Sequence, residues 1–446
     1  MSAVFLGWTL ADTTAAVSGD LIGGDTRTIG AVTTDSRGDV QDHLFVALAG
    51  ESFDGHAFAS DVITRGAAAV VVNKGSGIDA EPRIEVDSTG DALAALAIKR
   101  RDELAIPVIA VTGSTGKTST KDLLAAGLDG AWASPRSFNN EIGVPLTVLA
   151  TPPDAKFLVV EVGSRGKGHI QWLSPMVRPD VAVITNLGVV HLETFGSTKG
   201  LADAKFELIE ALGSEGIAVL PIDEESLRRD GHHSTITFGG VDADVAVSDI
   251  TMDDVGRPTF SLEVDGLAHS VSLPLSGIHQ AMNTAAAVGV AAALDLDIGE
   301  FIGRLNVASG SAWRMDVHEG RFTVVNDAYN ANPQSVASAL ETVAGMNGRH
   351  IAVLGVMAEL GHVCGDEHRR IGELVGRLGF AELVVVGSDH GYGLGYPGAV
   401  RKATDIEDAA DTLAHIIEPG DVVLVKASRA AGLERLALDL IEDSAT

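Results

Sequence analysis

With one cysteine, Cys364, no intrachain disulfide can form, which is what a chain kept in a reducing cytoplasm is expected to show. Aromatic residues are scarce, 4% against 46% hydrophobic residues in all; with 51 glycines, this balance suits a soluble α/β protein with many βα turns. Cations are also scarce. The 446 residues hold 32 Lys and Arg against 61 Asp and Glu, a formal charge of −29, and no run concentrates the basic ones. Such a chain repels nucleic acid and anionic membrane, and an anionic substrate needs locally placed Arg and Lys. No apolar run reaches the ~20 residues of a membrane span. The start, MSAVFLGWTLADTT, lacks the basic region of a signal peptide.

What is present is α/β rhythm. At roughly 100–200 residues per domain, two to four domains are expected, and three blocks are visible. Residues 1–104 hold short apolar runs (HLFVAL, AAAVVV) between turn-rich segments, then a helix over Asp91 to Leu104. Pro107 marks a boundary. Residues 105–315 alternate buried-type strands (PVIAVTG, FLVVEVG, VAVITNLG, GIAVLP) with helices, which predicts a mainly parallel sheet. Asp242 to Leu273 breaks the rhythm with antiparallel-like alternation, before a helix starting near Ser276 or Gly277. Residues 316–446 repeat the parallel pattern with FTVVNDAYN, HIAVLGV, ELVVVG and DVVLVKAS.

The chemistry starts at Val108 to Leu124, VIAVTGSTGKTSTKDLL. Gly113, Ser114, Thr115, Gly116, Lys117, Thr118 and Ser119 lie between a strand and a helix. Glycines let backbone N–H groups approach phosphate oxygens, Lys117 supplies charge, Thr118 can ligate Mg²⁺, and a helix N-terminus favours an anion. The motif is shorter than the common phosphate loop, since Val111 stands where the first glycine belongs. The alternative is an ordinary glycine-rich turn. Glu161 at the tip of the next strand favours a nucleotide, because a carboxylate there can hold Mg²⁺; capping a nearby N–H is its other use. By residue type alone, His191 would be a structural or solvated histidine and Lys205 a surface lysine.

TGSTGKTS, NNEIGVPLT, EVGS, NLGVVHLETFGS, AKFELI, GIHQAMN, DAYNANPQSV, MAELG and VLVKASR together resemble the Mur ligases, ATP-dependent amide-forming enzymes of peptidoglycan precursor synthesis. The resemblance runs through nearly the whole chain. It implies a small mixed α/β UDP-sugar domain, a central parallel-sheet P-loop ATPase-like domain and a C-terminal Rossmann-like domain. The N-terminal segment TDSRGDVQDHLFVALAGESFDGHAF and the DAYNANP and MAELG segments resemble the branch that adds D-alanyl-D-alanine. Gln334 and Ser335 follow Asn332-Pro333, where the diaminopimelate-adding branch carries Asn-Pro-x-Arg. Three departures from the family pattern are visible: Ala427 within Lys426-Ala427-Ser428-Arg429, Val356 in place of an acid, and Ser164-Arg165 where Asn-His is common.

The resemblance implies ATP and Mg²⁺ as cofactors. Lys117 then contacts ATP phosphates, and Thr118 and Glu161 hold one Mg²⁺. His191 helps hold a second, and Lys205 matches a lysine that is N-carbamylated in many relatives. His279 and Asn283 face adenine, and Arg314 and Asp327 lie near phosphates and ribose. Asn139 and Asn140 face the acyl substrate. Ser36 and Arg37 belong to the UDP-sugar pocket; a turn hydroxyl and a surface charge are the other readings. Asn330, Asn332, Lys426, Ser428 and Arg429 serve the incoming dipeptide. The implied substrates are UDP-N-acetylmuramoyl-tripeptide and D-alanyl-D-alanine, joined in the cytoplasm by a monomer. A folylpolyglutamate synthetase-like or diaminopimelate- or lysine-adding ligase is the alternative enzyme, and a non-catalytic nucleotide-binding regulator the alternative of another class.

Overall fold

The computed structural model describes residues 5–24, 27–50, 53–188, 197–229 and 233–445. Its central feature is a nine-stranded sheet. Val108–Thr112 lies between Phe157–Glu161 and Val181–Ile184, parallel to both. Ala131–Ala133 closes one side, and Ile217–Pro221 and Ser234–Gly239 extend the other in parallel. All five residues of Val108–Thr112 are buried, as expected of an apolar run covered on both faces. The expected antiparallel interruption is a meander of Val245–Met252, Pro258–Val264 and Leu267–Ser272 on the far edge of the same sheet.

Chain order reverses around Val108–Thr112, whose neighbours lead away in opposite directions. Crevices open at the carboxyl ends of strands at such a point. Glu161 is in register with Val111, and Ile184 with Thr112. Glu161 and the loop after Thr112 therefore share one sheet edge. The helix Lys117–Gly127 leaves from that edge. The alanine-rich helix Gln280–Ala293 is buried along most of its length, although it begins later than Ser276 or Gly277. Loop backbone with its own cap at His279 occupies the intervening residues.

A five-stranded sheet precedes the central one, in the order Asp20–Ile22, Arg83–Val86, Ala69–Asn73, His43–Val46, Ala31–Thr33, with only the first strand antiparallel. The helix Thr89–Glu103 links the two sheets. Its Leu93 and Leu96 lie in one continuous apolar core with Leu44, Ile84, Val108 and Leu158. The C-terminal six-stranded sheet runs Asp316–His318, Thr323–Asn326, Val422–Lys426, His350–Leu354, Glu382–Val386, Val400–Ala403. Only its first strand is antiparallel, and apolar clusters cover both faces. The edge strands Asp316–His318 and Val400–Ala403 carry polar residues and are invisible to a search for apolar runs. Among the described residues no helix is long and apolar enough to cross a membrane.

Candidate active site

The loop after Thr112 takes its shape from two glycines. Gly116 has φ +79°, and a Cβ there would lie 2.4 Å from Asn283 Oδ1. At Gly113 a Cβ would meet Thr185 Oγ1 at 1.8 Å. Neither position tolerates a side chain. Asn186 braces the loop: its Oδ1 accepts from Thr115 N at 3.0 Å and its Nδ2 donates to Thr115 Oγ1 at 2.6 Å. Asn186 was missed in the sequence reading, although TNLG at a strand end is a usable signal.

Thr118 and Glu161 meet. Thr118 Oγ1 donates to Glu161 Oε2 at 2.8 Å, and Asn139 Nδ2 donates to Oε1 at 2.7 Å. Both Thr118 and Glu161 are buried. Both Glu161 oxygens accept from side chains, and among the described residues no backbone N–H donates to them. Two oxygen-bearing groups side by side at a phosphate loop fit a hard cation such as Mg²⁺.

The Gly113 carbonyl accepts from two lysines, Lys117 Nζ at 2.8 Å and Lys205 Nζ at 2.9 Å. Lys205 is 4% exposed, which overturns its reading as a surface lysine. The residues that bury it come from the loop, far away in sequence, so helical periodicity could not reveal them. Burial pushes the Lys205 amine well below the usual lysine range, and the neighbouring Lys117 pushes the same way. Lys117 is also lowered by burial, with Glu161 opposing and Arg314 reinforcing. His191 lies outside the described residues, and among those described no group of three His, Cys, Asp or Glu is placed to hold a metal.

A cleft of about 490 Å³ separates the central sheet from the C-terminal one. Residues 114 to 119, Asn139 and Glu161 line it from one side, and Asp327, Asn330, Asn332 and Lys426 from the other. His279, Asn283 and Arg314 complete it, and Tyr329 and Ser338 join them without having been expected. His279 Nδ1 lies 3.0 Å from Ser338 Oγ across the gap, and burial lowers its pKa to about 4. Lys426 Nζ pairs with Asp327 Oδ2 at 2.5 Å and donates to the Asn330 carbonyl at 2.9 Å. Burial lowers Lys426, and Asp327 opposes that.

Arg314 stands between two residues in left-handed backbone conformation, Trp313 with φ +63° and Met315 with φ +49°. Strain of about 1–3 kcal/mol per residue is typical of such positions. Arg314 donates to Ser137 Oγ at 3.1 Å, and its buried Nε has no partner among the described residues. A donor left open at the cleft suits an arriving anion.

Other expected residues lie elsewhere. Asn140 Oδ1 accepts from Gly143 N at 2.9 Å and caps the following helix. Asn332, which lines the cleft, also caps the helix Pro333–Ala344 through Ser335 N at 2.9 Å. Ser428 Oγ accepts from Ala358 N at 2.8 Å and does not line the cleft. Arg429 is outside it too, paired with Glu434 at 2.9 Å. Ser36 and Arg37 lie in the turn after Ala31–Thr33 of the N-terminal sheet and do not line the cleft. Arg37 is exposed and binds Asp35 at 2.8 Å, which holds that carboxyl at about 2, while Arg65 grips the carbonyls of Ser36 and Gly38.

Three domain families match the chain in sequence: the Mur ligase family catalytic domain over residues 28–101, the Mur ligase middle domain over 111–291, and the Mur ligase glutamate ligase domain over 313–429. The UDP-N-acetylmuramoyl-tripeptide–D-alanyl-D-alanine ligase of Bacillus subtilis (strain 168) is 34% identical over 436 residues, covering 93% of each chain. MurF from Acinetobacter baumannii superposes with a TM-score of 0.89 at 30% identity, over 98% of this chain and 99% of that one. MurF from Thermotoga maritima, solved in complex with ADP, gives 0.84 at 30% identity over 93% and 97%. The chain belongs to the Mur ligase family.

Proposed function

We propose that this chain is the ATP-dependent ligase that joins D-alanyl-D-alanine to UDP-N-acetylmuramoyl-tripeptide through an acyl phosphate. The observation that carries the reading is Lys117, Thr118 and Glu161 gathered at one cleft edge, in a chain similar along its length to ligases of that name. A carboxylate is a poor electrophile. Phosphorylation by ATP gives it a leaving group, the dipeptide amine then attacks the acyl carbon, and phosphate departs.

The protein's part is positioning and charge neutralisation. Loop N–H groups and Lys117 take the phosphates, and Arg314 has an open donor for charge developing during transfer. His279 and Asn283, at the start of a buried helix that lines the cleft, would face the base. Asn139 orients Glu161 and faces the acyl side. Asp327, Asn330, Asn332 and Lys426 form the opposite wall, suited to the dipeptide and ribose. Ser36 and Arg37 serve the UDP-sugar end. Thr118 and Glu161 would hold Mg²⁺, which supplies neutralisation of phosphate oxygens when bound. His191 as a second ligand rests on the family resemblance.

Lys205 as an amine offers no anionic ligand. Buried beside Lys117 and lowered in pKa, it is suited to be the neutral amine that CO₂ requires, and the resulting carbamate reverses its charge. The same reading divides the chain into a UDP-sugar domain at 1–104, an ATP domain at 105–315 and a dipeptide domain at 316–446, acting in the cytoplasm. Amide formation is the test. Product is expected with D-alanyl-D-alanine and UDP-N-acetylmuramoyl-tripeptide. Comparable efficiency with meso-diaminopimelate and UDP-N-acetylmuramoyl-dipeptide would overturn the assigned acceptor.

A further inference from the structure

Four side chains alternate in charge and ring at the join between the central and C-terminal sheets. The Arg314 guanidinium lies 4.1 Å from the centre of the Tyr329 ring. The Arg429 guanidinium lies 5.9 Å from the centre of the same Tyr329 ring and 4.6 Å from the centre of the Trp313 ring. The chain has only four tryptophans and three tyrosines, and one of each stands in this stack. Glu434, at the start of the last helix, holds Arg429 at 2.9 Å.

The backbone binds Arg314 to the same lobe. Tyr329 N donates to the Trp313 carbonyl at 3.1 Å, and Met315 N donates to Asp327 Oδ1 at 3.1 Å. Residues on both sides of Arg314 are thus fastened to the 327–329 segment of the C-terminal sheet. Its guanidinium alone reaches the central lobe, at Ser137 Oγ. Ser137 Oγ in turn lies 3.2 Å from Thr118 Oγ1, which touches Glu161. A continuous set of contacts therefore joins the last helix to the candidate cation pair.

We propose that the Trp313–Arg429–Tyr329 stack is a positioning device that fixes Arg314 to the C-terminal lobe, so that closure of the cleft delivers Arg314 to the phosphate loop as part of a rigid unit. This rests on the ligase reading. Arg429 acts through Arg314 and does not touch the dipeptide. Stacked guanidinium groups keep their plane and lose little freedom on meeting an anion, which is why Arg and not Lys stands at both places.

The test is a double-mutant cycle on two residues outside the cleft lining, Trp313→Leu and Arg429→Gln. Each is expected to lower kcat about fourfold, the order of one half-exposed cation–π contact. The double variant should be no slower than about twofold below either single one, since both remove the same stack. KM for ATP and for D-alanyl-D-alanine should hold steady. Trp313→Phe keeps a ring under Arg429 and should recover most of the rate. Multiplying losses, a raised KM for the dipeptide in Arg429→Gln, or a Phe variant as slow as the Leu variant each overturn the proposal. If the unaltered chain forms no amide, the ligase reading fails instead. The stack is then read by small-angle X-ray scattering with a non-hydrolysable ATP analogue: compaction in the unaltered chain that is lost in Trp313→Leu supports it, and equal compaction in both refutes it.

Discussion

The two lobes that flank the cleft each bury a lysine, and they treat it differently. On the C-terminal wall Lys426 is 2% exposed and has a carboxylate, Asp327, at 2.5 Å. In the central lobe Lys205 is 4% exposed, and it donates to the Gly113 carbonyl that Lys117 also uses. A buried cation is tolerated when paired; an unpaired one gives up its proton. One lobe therefore carries an ion pair with structural value. The other carries an amine without a carboxylate partner among the described residues, whose pKa burial and the neighbouring Lys117 push down.

The sharpest way to break this comparison is at the central wall. Lys117→Ala should reduce acyl-phosphate formation by about 10²–10³, the usual loss for one preorganised donor at developing charge. Its thermal midpoint should barely move, because the ammonium only folds back on the Gly113 and Ser114 carbonyls. Near-normal acyl-phosphate formation in a phosphate-trapping assay would remove Lys117 from the chemistry.

Lys205→Ala should likewise be inactive, and added formate or acetate should restore part of the rate by supplying the missing negative charge. Lys205→Arg should stay inactive, since it restores length but keeps a cation. Turnover close to normal in Lys205→Ala, without rescue, would show that the residue lies outside the metal site.

Stability separates the two lobes further. Lys426→Met strands the Asp327 carboxylate and should cost about 3–5 kcal/mol, read as a lower midpoint in denaturant. Lys205→Met removes a buried amine and strands no charge, so its midpoint should stay level or rise. Equal losses in both variants would mean that the two lysines are held alike.

The smallest effect concerns His279, whose pKa burial lowers to about 4. The unfolded chain, with histidine near ~6.5, binds the proton first as pH falls. His279 therefore contributes stability that is complete above the unfolded value and is lost as pH drops from there towards 4. The melting temperature should fall over that window, and His279→Asn should flatten part of the slope. An unchanged slope would locate the acid sensitivity elsewhere.

Much of this was legible in the residues. Continuous apolar runs such as VIAVT and VVLVK are buried on both faces, so the sequence alone marks them as strands of parallel sheets. Gly116 followed by Lys117 and Thr118 at a strand end marks a candidate phosphate loop, because glycine supplies the left-handed backbone and lysine the charge. Local pattern determined these features because their causes are local: periodicity, glycine conformation and strand-end placement.

The tertiary structure decided what depends on neighbours distant in the chain. Lys205 reads as a surface residue until the loop 92 positions earlier buries its amine. Arg429 reads as a dipeptide contact until the fold sets it outside the cleft lining, against the Trp313 ring and Glu434. Ser36 and Arg37 stand in a turn after the N-terminal strand Ala31–Thr33 and are not among the cleft-lining residues. Burial, pairing and the resulting protonation state are properties of an assembled environment. Sequence supplies each residue's chemistry; packing against the other lobe selects which part of that chemistry is used.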